Sequence, residues 1–294
     1  MDSDRNVDDI AASFGALSNP LRVRILLALT ETRRADWDHE GMSYSDLRAA
    51  VAAEDGGRFN YHLDELRGQF VRGKDGHYWL TSAGSRVVDE IYAGTFSGSP
   101  GGISGPVGRS CPEDGKPLEA TFEDGVLSVS CPEHGTVFDM WLRFGAGADR
   151  DLEELFAWAN RRGLWYLESV SWDVCPHCAG QFGEATFRPA GGDDSTDTAG
   201  SVIVDMTCDS CAISFGIPAH QYALTRPPTI AFLHDHGIDY RSLAVEYGAA
   251  EWAHETTRTD SGVLVCFTVD GERLELELGQ SLETQSYRRD SARA

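Results

Sequence analysis

Lysine is almost missing from this chain of 294 residues. Of its 25 basic side chains only Lys74 and Lys116 are lysine, and 47 carboxylates bring the formal net charge to −22. Long hydrophobic runs are missing too. No stretch approaches the roughly 20 apolar residues that a membrane-spanning helix needs, so no membrane partner is expected. The N-terminus, Met1-Asp-Ser-Asp-Arg5, has neither the basic nor the apolar region of a secretory leader. A soluble cytoplasmic protein is the expectation. Catalytic signatures are absent as well: no H-E-x-x-H, no G-x-S-x-G, no G-x-x-x-x-G-K-[ST], and no G-x-G-x-x-G behind a strand. Carboxylates are so frequent that a pair of them says nothing about acid–base chemistry. The chain is therefore not expected to be an enzyme.

The charge that is present is uneven. Residues 1–100 carry 11 basic and 16 acidic groups, and residues 101–294 carry 14 and 31. Within 58–74 the balance reverses, with Arg58, Arg67, Arg72 and Lys74 against Asp64 and Glu65. Arginine in place of lysine with a large acid surplus resembles a protein from a salt-accumulating halophile, of archaeal type. The surface carboxylates then serve hydration and solubility. The rival reading is repulsion of nucleic acid. It weakens in a saline cytoplasm, where the Debye length shrinks to about 3 Å at 1 M salt.

Cysteine is sparse but patterned. Cys175-Pro-His-Cys178 and Cys208-Asp-Ser-Cys211 are two C-x2-C pairs. Each offers two thiolates from one tight turn, and two such turns close a tetrahedral cage. Reduced intracellular thiols favour metal over disulfide. A cage filled by protein ligands leaves no position for substrate, so structural zinc is the reading. The chain also repeats itself weakly. Cys111-Pro-Glu-Asp114 aligns with the first pair, and Cys131-Pro-Glu-His134 with the second. Glu119-Ala-Thr-Phe122 aligns with Glu184-Ala-Thr-Phe187, and Val126–Val129 with Val202–Asp205. Cys111, Asp114, Cys131 and His134 could hold a second zinc through two sulfurs, a nitrogen and an oxygen. The alternative is a ribbon that has lost its metal. Each half reads as two knuckles joined by a β-hairpin, followed by a short helix ending at Gly163 or Gly237. Cys266 lies in the apolar run 263–269 and reads as a small buried hydrophobe. His234 and His236 are assigned no ligand role, and Trp158, Trp165 and Trp172 are expected to fill cores or an interface.

Before the cysteines, apolar spacing marks helices. Ile10, Phe14 and Leu17 form one stripe. Asn19-Pro20 reads as an N-cap followed by proline at the first helical position, with Leu21, Ile25, Leu26 and Leu29 behind it. Ser43 and Asp46 make a capping-box pattern, leading into Leu47, Ala50 and Val51. Phe59, Leu63, Leu66 and Phe70 follow at helical spacing over 58–70. A hairpin is expected over 71–80, and a last helix from Ser82 carries Val87, Val88, Ile91 and Tyr92.

With the run Leu17-Ser18-Asn19-Pro20-Leu21-Arg22-Val23-Arg24-Ile25-Leu26, this order resembles an ArsR-type winged helix-turn-helix transcription regulator over about a third of the chain. The resemblance implies sequence-specific binding of double-stranded DNA, commonly as a homodimer. If 58–70 turns its apolar face inward, Arg58, Asn60, Tyr61 and Arg67 face outward. Arginine and asparagine can read guanine and adenine edges in the major groove. Arg72, Lys74 and His77 on the hairpin could reach adjacent phosphate or the minor groove. No cysteine precedes Cys111, so the heavy-metal sensing of some family members is not carried over.

The expected fold is α+β: a winged helix-turn-helix over 1–95, a Gly/Ser/Pro linker over 96–110 spanning roughly 20 Å, a ribbon-like unit over 111–170, and a second zinc ribbon over 171–285 closed by a hairpin. The expected function is a DNA-binding regulator whose zinc-stabilised C-terminal part supplies dimerisation or the input of an unidentified effector. The alternative is a zinc-ribbon adaptor that docks proteins of the transcription or translation machinery.

Overall fold

The computed structural model describes residues 6–35, 41–96, 101–111, 114–190, 202–243 and 253–290. The fold is α+β, in two compact units. One holds residues 2–101 with 143–148, and the other holds 102–142 with 149–294. No helix among the described residues is long and apolar enough to cross a membrane.

The smaller unit begins with α1 (Val7–Leu17), capped by Asn6, and α2 (Pro20–Ala35), where the Asn19 side chain accepts from Leu21 N at 2.9 Å. The short β1 (Met42–Ser43) leads into α3 (Tyr44–Ala50), whose Asp46 N–H is capped by the Ser43 hydroxyl. Asp55 caps α4 (Gly56–Leu66) by accepting from Gly57 N and Arg58 N. The strands β2 (Val71–Lys74) and β3 (His77–Leu80) pair antiparallel about Asp75-Gly76, both at positive φ, and α5 (Ser82–Tyr92) follows. A two-residue turn with both φ positive matches the twist of the flanking strands. The sheet order is β1-β3-β2. Ile25, Leu26 and Leu29 of α2 pack with Leu47, Phe59, Leu63, Leu66 and Val88 into one core.

Two expectations need correction here. The helix expected over 58–70 stops at Leu66: Arg67 is extended (ψ 145°) and Gly68 stands at φ +87°. Phe70 is buried nonetheless, because the chain folds back into the hairpin beneath it. The stripe on α1 faces inward only at its end: Ile10 and Phe14 are exposed, and Leu17 packs half-buried against the core.

The larger unit carries two antiparallel meanders of the same local order. In the first, β4 (Ile103–Ser110), β5 (Pro117–Glu123), β6 (Val126–Cys131) and β7 (Gly135–Trp141) form one sheet in sequence order. Burial alternates along β5 and β6, with Leu118, Ala120, Phe122, Leu127 and Val129 inward, as a one-sided sheet requires. The long α6 (Leu152–Ser171) starts with a capping box between Asp151 and Glu154 and buries Leu155, Phe156 and Ala159. In the second meander, β8 (Thr186–Pro189), β9 (Val202–Thr207) and β10 (Ser214–Pro218) pair in sequence order and lead into α7 (Ala219–Ala223), α8 (Pro227–Asp235) and α9 (Tyr240–Leu243). A last sheet, β11 (Ala253–Thr259), β12 (Gly262–Val269), β13 (Glu272–Gly279) and β14 (Thr284–Asp290), shares a core with β9, α7 and α8. Val263, Val265, Phe267, Leu274 and Leu276 pack there against Val204, Tyr222 and Phe232.

The linker expected over 96–110 is corrected over 103–110, which pair with β5 as strand β4; residues 97–100 lie outside the described residues. Alternate small residues in Ile103–Ser110 let this edge strand lie against α6, and the Gly108 N–H donates to Glu153. The helix expected to end at Gly163 runs on to Ser171. The boundary at 170/171 separates no compact bodies, and ordered strand extends past 285 to Asp290.

Candidate metal centres and candidate nucleic-acid interface

Four turns of one construction build two side-chain clusters. In the second meander the Ala179 N–H donates to Cys175 O (2.9 Å) and the Cys175 N–H to Gly180 O (2.8 Å). The Ala212 N–H likewise donates to Cys208 O (2.9 Å), and the Cys208 N–H to Ile213 O (2.9 Å). In the first meander the Gly115 N–H donates to Cys111 O (2.9 Å) and the Cys111 N–H to Lys116 O (2.7 Å). The residue four places after the leading cysteine has positive φ in every case: Gly115 (72°), Gly135 (75°), Ala179 (59°) and Ala212 (58°). Such a turn aims backbone N–H groups at the leading sulfur and brings the third following side chain beside it.

The two clusters could each hold a metal ion, with all candidate ligand atoms within 4.8 Å of one another. Cys175 Sγ lies 3.8 Å from Cys211 Sγ, and Cys178 Sγ 3.5 Å from Cys208 Sγ. Thiolates about 2.3 Å from a common tetrahedral ion stand about 3.8 Å apart. In the first cluster His134 Nδ1 lies 3.4 Å from Cys111 Sγ and 3.5 Å from Cys131 Sγ, against about 3.6 Å for a sulfur–nitrogen edge. Asp114 completes it, with Oδ1 3.9 Å from Cys131 Sγ and Oδ2 3.8 Å from His134 Nδ1. Both sequence-derived ligand sets are therefore brought together.

The electrostatics of the two clusters agree at the aligned pair Cys208 and Cys131 and differ at Cys178, pushed up to about 12, and Asp114. Burial works against ionising Cys208, but N–H groups of Cys211 and Ser210 and neighbouring thiols outweigh it and bring its pKa down to about 7. Burial also opposes ionisation of the aligned Cys131, whose pKa is nevertheless lowered by N–H groups of Glu133 and His134. The Lys116 N–H, donating at 3.0 Å, holds the Asp114 carboxyl below the usual carboxylate range. Lys116 Nζ lies 2.9 Å from Glu133 and 3.5 Å from Asp114. One of the chain's two lysines thus sits on the rim of the mixed cluster.

The residues expected to meet DNA lie on α4 and the hairpin of the smaller unit. Arg58, Asn60 and Tyr61 are exposed on α4 while Phe59, Leu63 and Leu66 face inward. Arg67 is exposed beyond the helix end and pairs with Asp64 at 3.3 Å. Arg72 lies over the Trp79 ring at 5.5 Å, and Lys74 is exposed opposite the half-buried His77.

Sequence reasoning missed the group that holds this face in place. Arg22 of α2 is buried; its Nε donates to His62 Nδ1 (3.1 Å), Nη1 to Ala16 O (3.1 Å), and Nη2 pairs with Glu65 (3.2 Å). Burial first, then Arg22 and Arg58, push the His62 pKa below its ordinary value. A neutral His62 accepting on Nδ1 locks α4 to α2. The alternation of Arg22 with apolar neighbours was visible in sequence, but its partners were not.

The remaining readings divide. Cys266 is buried in β12, as expected. His236 holds Glu272 at 3.0 Å and joins no metal cluster among the described residues. Trp172 and Trp165 are surface groups, 80% and 50% exposed, and fill no core.

Residues 108–284 match the family described as Domain of unknown function (DUF7351), and the chain belongs to that family. Residues 10–91 match a second description of the same kind, Domain of unknown function (DUF7347). No curated protein matches the chain, and no solved structure does.

Proposed function

We propose that this protein is a DNA-binding transcription regulator with two structural zinc sites. The observation that carries the reading is the outward face of α4. Arg58, Asn60 and Tyr61 stand exposed on a helix whose other face is locked into the core. The order α2, β1, α3, α4, β2, β3, α5 supports a winged helix-turn-helix reading, in which α4 would enter the major groove. Arg58 and Asn60 carry the fork geometry that reads base edges, and Arg72 and Lys74 on the hairpin serve phosphate. The exposed apolar groups Val7, Ile10 and Phe14 on α1 and Tyr92 on α5 favour a homodimer, which the mass in solution checks.

Zinc is the metal that both donor sets suit. Four thiolates, or two thiolates with imidazole and carboxylate, are soft-to-borderline sets at tetrahedral spacing. Both are filled by protein ligands, so their role is structural. Metal would sew each meander's two turns together and fix the ends of β6 and β9. Cytoplasmic placement accords with ligation by reduced thiols.

The test is selection of operator sequences from random duplex DNA, followed by titration of the best duplex with the full chain. Arg58→Ala with Asn60→Ala is expected to lose about 2–5 kcal/mol of sequence discrimination. Lys74→Ala should weaken all duplexes alike and lower the salt slope by about 1. Equal discrimination by the double variant would remove α4 as the reading element. The adaptor reading has one specific observation in its favour, the exposed indoles Trp141, Trp165 and Trp172. Failure to enrich any duplex, with stable protein partners recovered, would favour it.

A further inference from the structure

The two clusters are built on the same turns but differ in what stands around them. The Cys111 N–H donates to Lys116 O and the Cys175 N–H to Gly180 O, so Lys116 and Gly180 hold equivalent places. Glu133 and Ser210 are equivalent in the same way, each following the leading cysteine of the second turn at the same spacing. In the first meander this pair is an ion pair across the turns, with Lys116 Nζ 2.9 Å from Glu133. In the second it is a close approach of uncharged groups. A Cβ added at Gly180 would run into the Ser210 side chain and stand 3.2 Å from Cys178 Sγ. No side chain fits there, so only the mixed cluster has a cation at this place.

That cation acts on Asp114, which stands where the other cluster has Cys178. Both carboxylate oxygens face Lys116: Oδ1 accepts from its N–H at 3.0 Å, and Oδ2 lies 3.5 Å from Nζ. A metal ion held by Asp114 would share that carboxylate with an ammonium group close by. Like charges at such range repel, which weakens the hold on the metal. The donor set weakens it further, since imidazole and carboxylate replace two thiolates, the softer ligands. Glu133 limits the effect of Lys116, because it draws Nζ toward itself and away from Asp114. Without Glu133 the ammonium would turn fully to Asp114.

We infer that the mixed cluster is an exchangeable site, which takes up and gives up a divalent metal ion of zinc's kind while the four-cysteine cluster keeps its own, and that Lys116 is the positioning residue that tunes it. The order of the first meander then follows metal supply. The inference rests on metal occupying both clusters. Its test uses the full chain loaded with cobalt(II), whose absorption distinguishes four sulfur ligands from a mixed set. Chelators of increasing strength are added, and released ions are counted by atomic emission. The expected result is two separate steps, the mixed-set bands fading first, with the two sites about tenfold or more apart in affinity. Lys116→Ala should tighten the mixed site roughly 3- to 10-fold, and Glu133→Ala should weaken it by a similar factor, with the other site unmoved. Both side chains are exposed, so neither change threatens the fold. An ion pair that only braced the turns would make both variants weaker, so opposite signs mark the tuning role. Loss of both ions in one step, earlier loss from the four-cysteine site, or a Lys116→Ala variant that binds no tighter would overturn the inference and leave the metal reading standing. A chain that takes up no metal would overturn the metal reading itself, and this inference with it.

Discussion

Ala179 and Ala212 occupy backbone positions that Gly115 and Gly135 hold in the first meander, with φ of 58° to 75° in the four turns. A Cβ in that region costs about 1 kcal/mol relative to glycine. Ala212→Gly is therefore expected to stabilise the larger unit by about 1 kcal/mol, read as a shift of its denaturation midpoint at constant m-value. An unchanged midpoint would mean that the turn relaxes around alanine. His62 makes a second prediction at this scale. Its folded-state pKa lies below the ordinary 6.5, through burial and then Arg22 and Arg58, with Glu65 opposing. The unfolded chain therefore binds the proton first. Stability of the smaller unit is whole above pH 6.5 and declines as pH falls below it toward the folded value. In His62→Gln, which still accepts from Arg22, that decline should vanish from urea unfolding curves collected between pH 7 and 5. The periodicity of α4 was legible in sequence. The Arg22–His62 contact was not, because it joins residues from two helices whose packing no local pattern specifies.

At the scale of elements, α6 shows where punctuation misleads. Gly163 reads as a helix stop, yet the helix passes through it to Ser171. Packing decides: at Gly163 an added Cβ would meet only the Met140 methyl of β7, at 3.4 Å, an ordinary contact with a flexible side chain. Gly163→Ala is expected to stabilise the unit by about 0.5–1 kcal/mol, since glycine inside a helix weakens it by that much. A loss of stability would show that β7 needs a closer approach than Met140 yields. The strand β4 teaches the converse. Its composition of Gly, Ser and Pro reads as a tether, but β5 offers a free edge and α6 a wall, and a paired edge strand tolerates proline where its N–H faces outward. Capping at Asn19, Ser43 and Asp55, by contrast, was local chemistry: the first two were read directly, and the third starts α4 two residues before its first arginine.

For the whole molecule, two compact units imply two stabilities. Under the proposed zinc ligation, metal would tie together the two turns of each meander in the larger unit, so its loss would act on that unit. A strong chelator is expected to release two zinc ions per chain, counted by atomic emission, and to abolish the calorimetric transition of the larger unit while the smaller one still melts. Asp114→Ala should leave one tightly held ion, and Cys175→Ser should remove the other. A metal-free chain with both transitions intact would contradict structural zinc. The acid surplus acts at this scale as well, since screening by salt relaxes repulsion among the carboxylates and should raise both transitions together.

The spacing of six cysteines, one aspartate and one histidine was enough to single out both clusters, because ligands in a tight turn are neighbours in sequence and the turn's geometry is local. Helix faces and caps were legible for the same reason. Tertiary structure alone decided the exposure of Ile10 and Phe14 on α1, the pairing of β4, the length of α6 and the burial of Arg22 against His62. Each of those depends on which surfaces meet across long stretches of chain, and the free energy of that meeting is not written in any window of neighbouring residues.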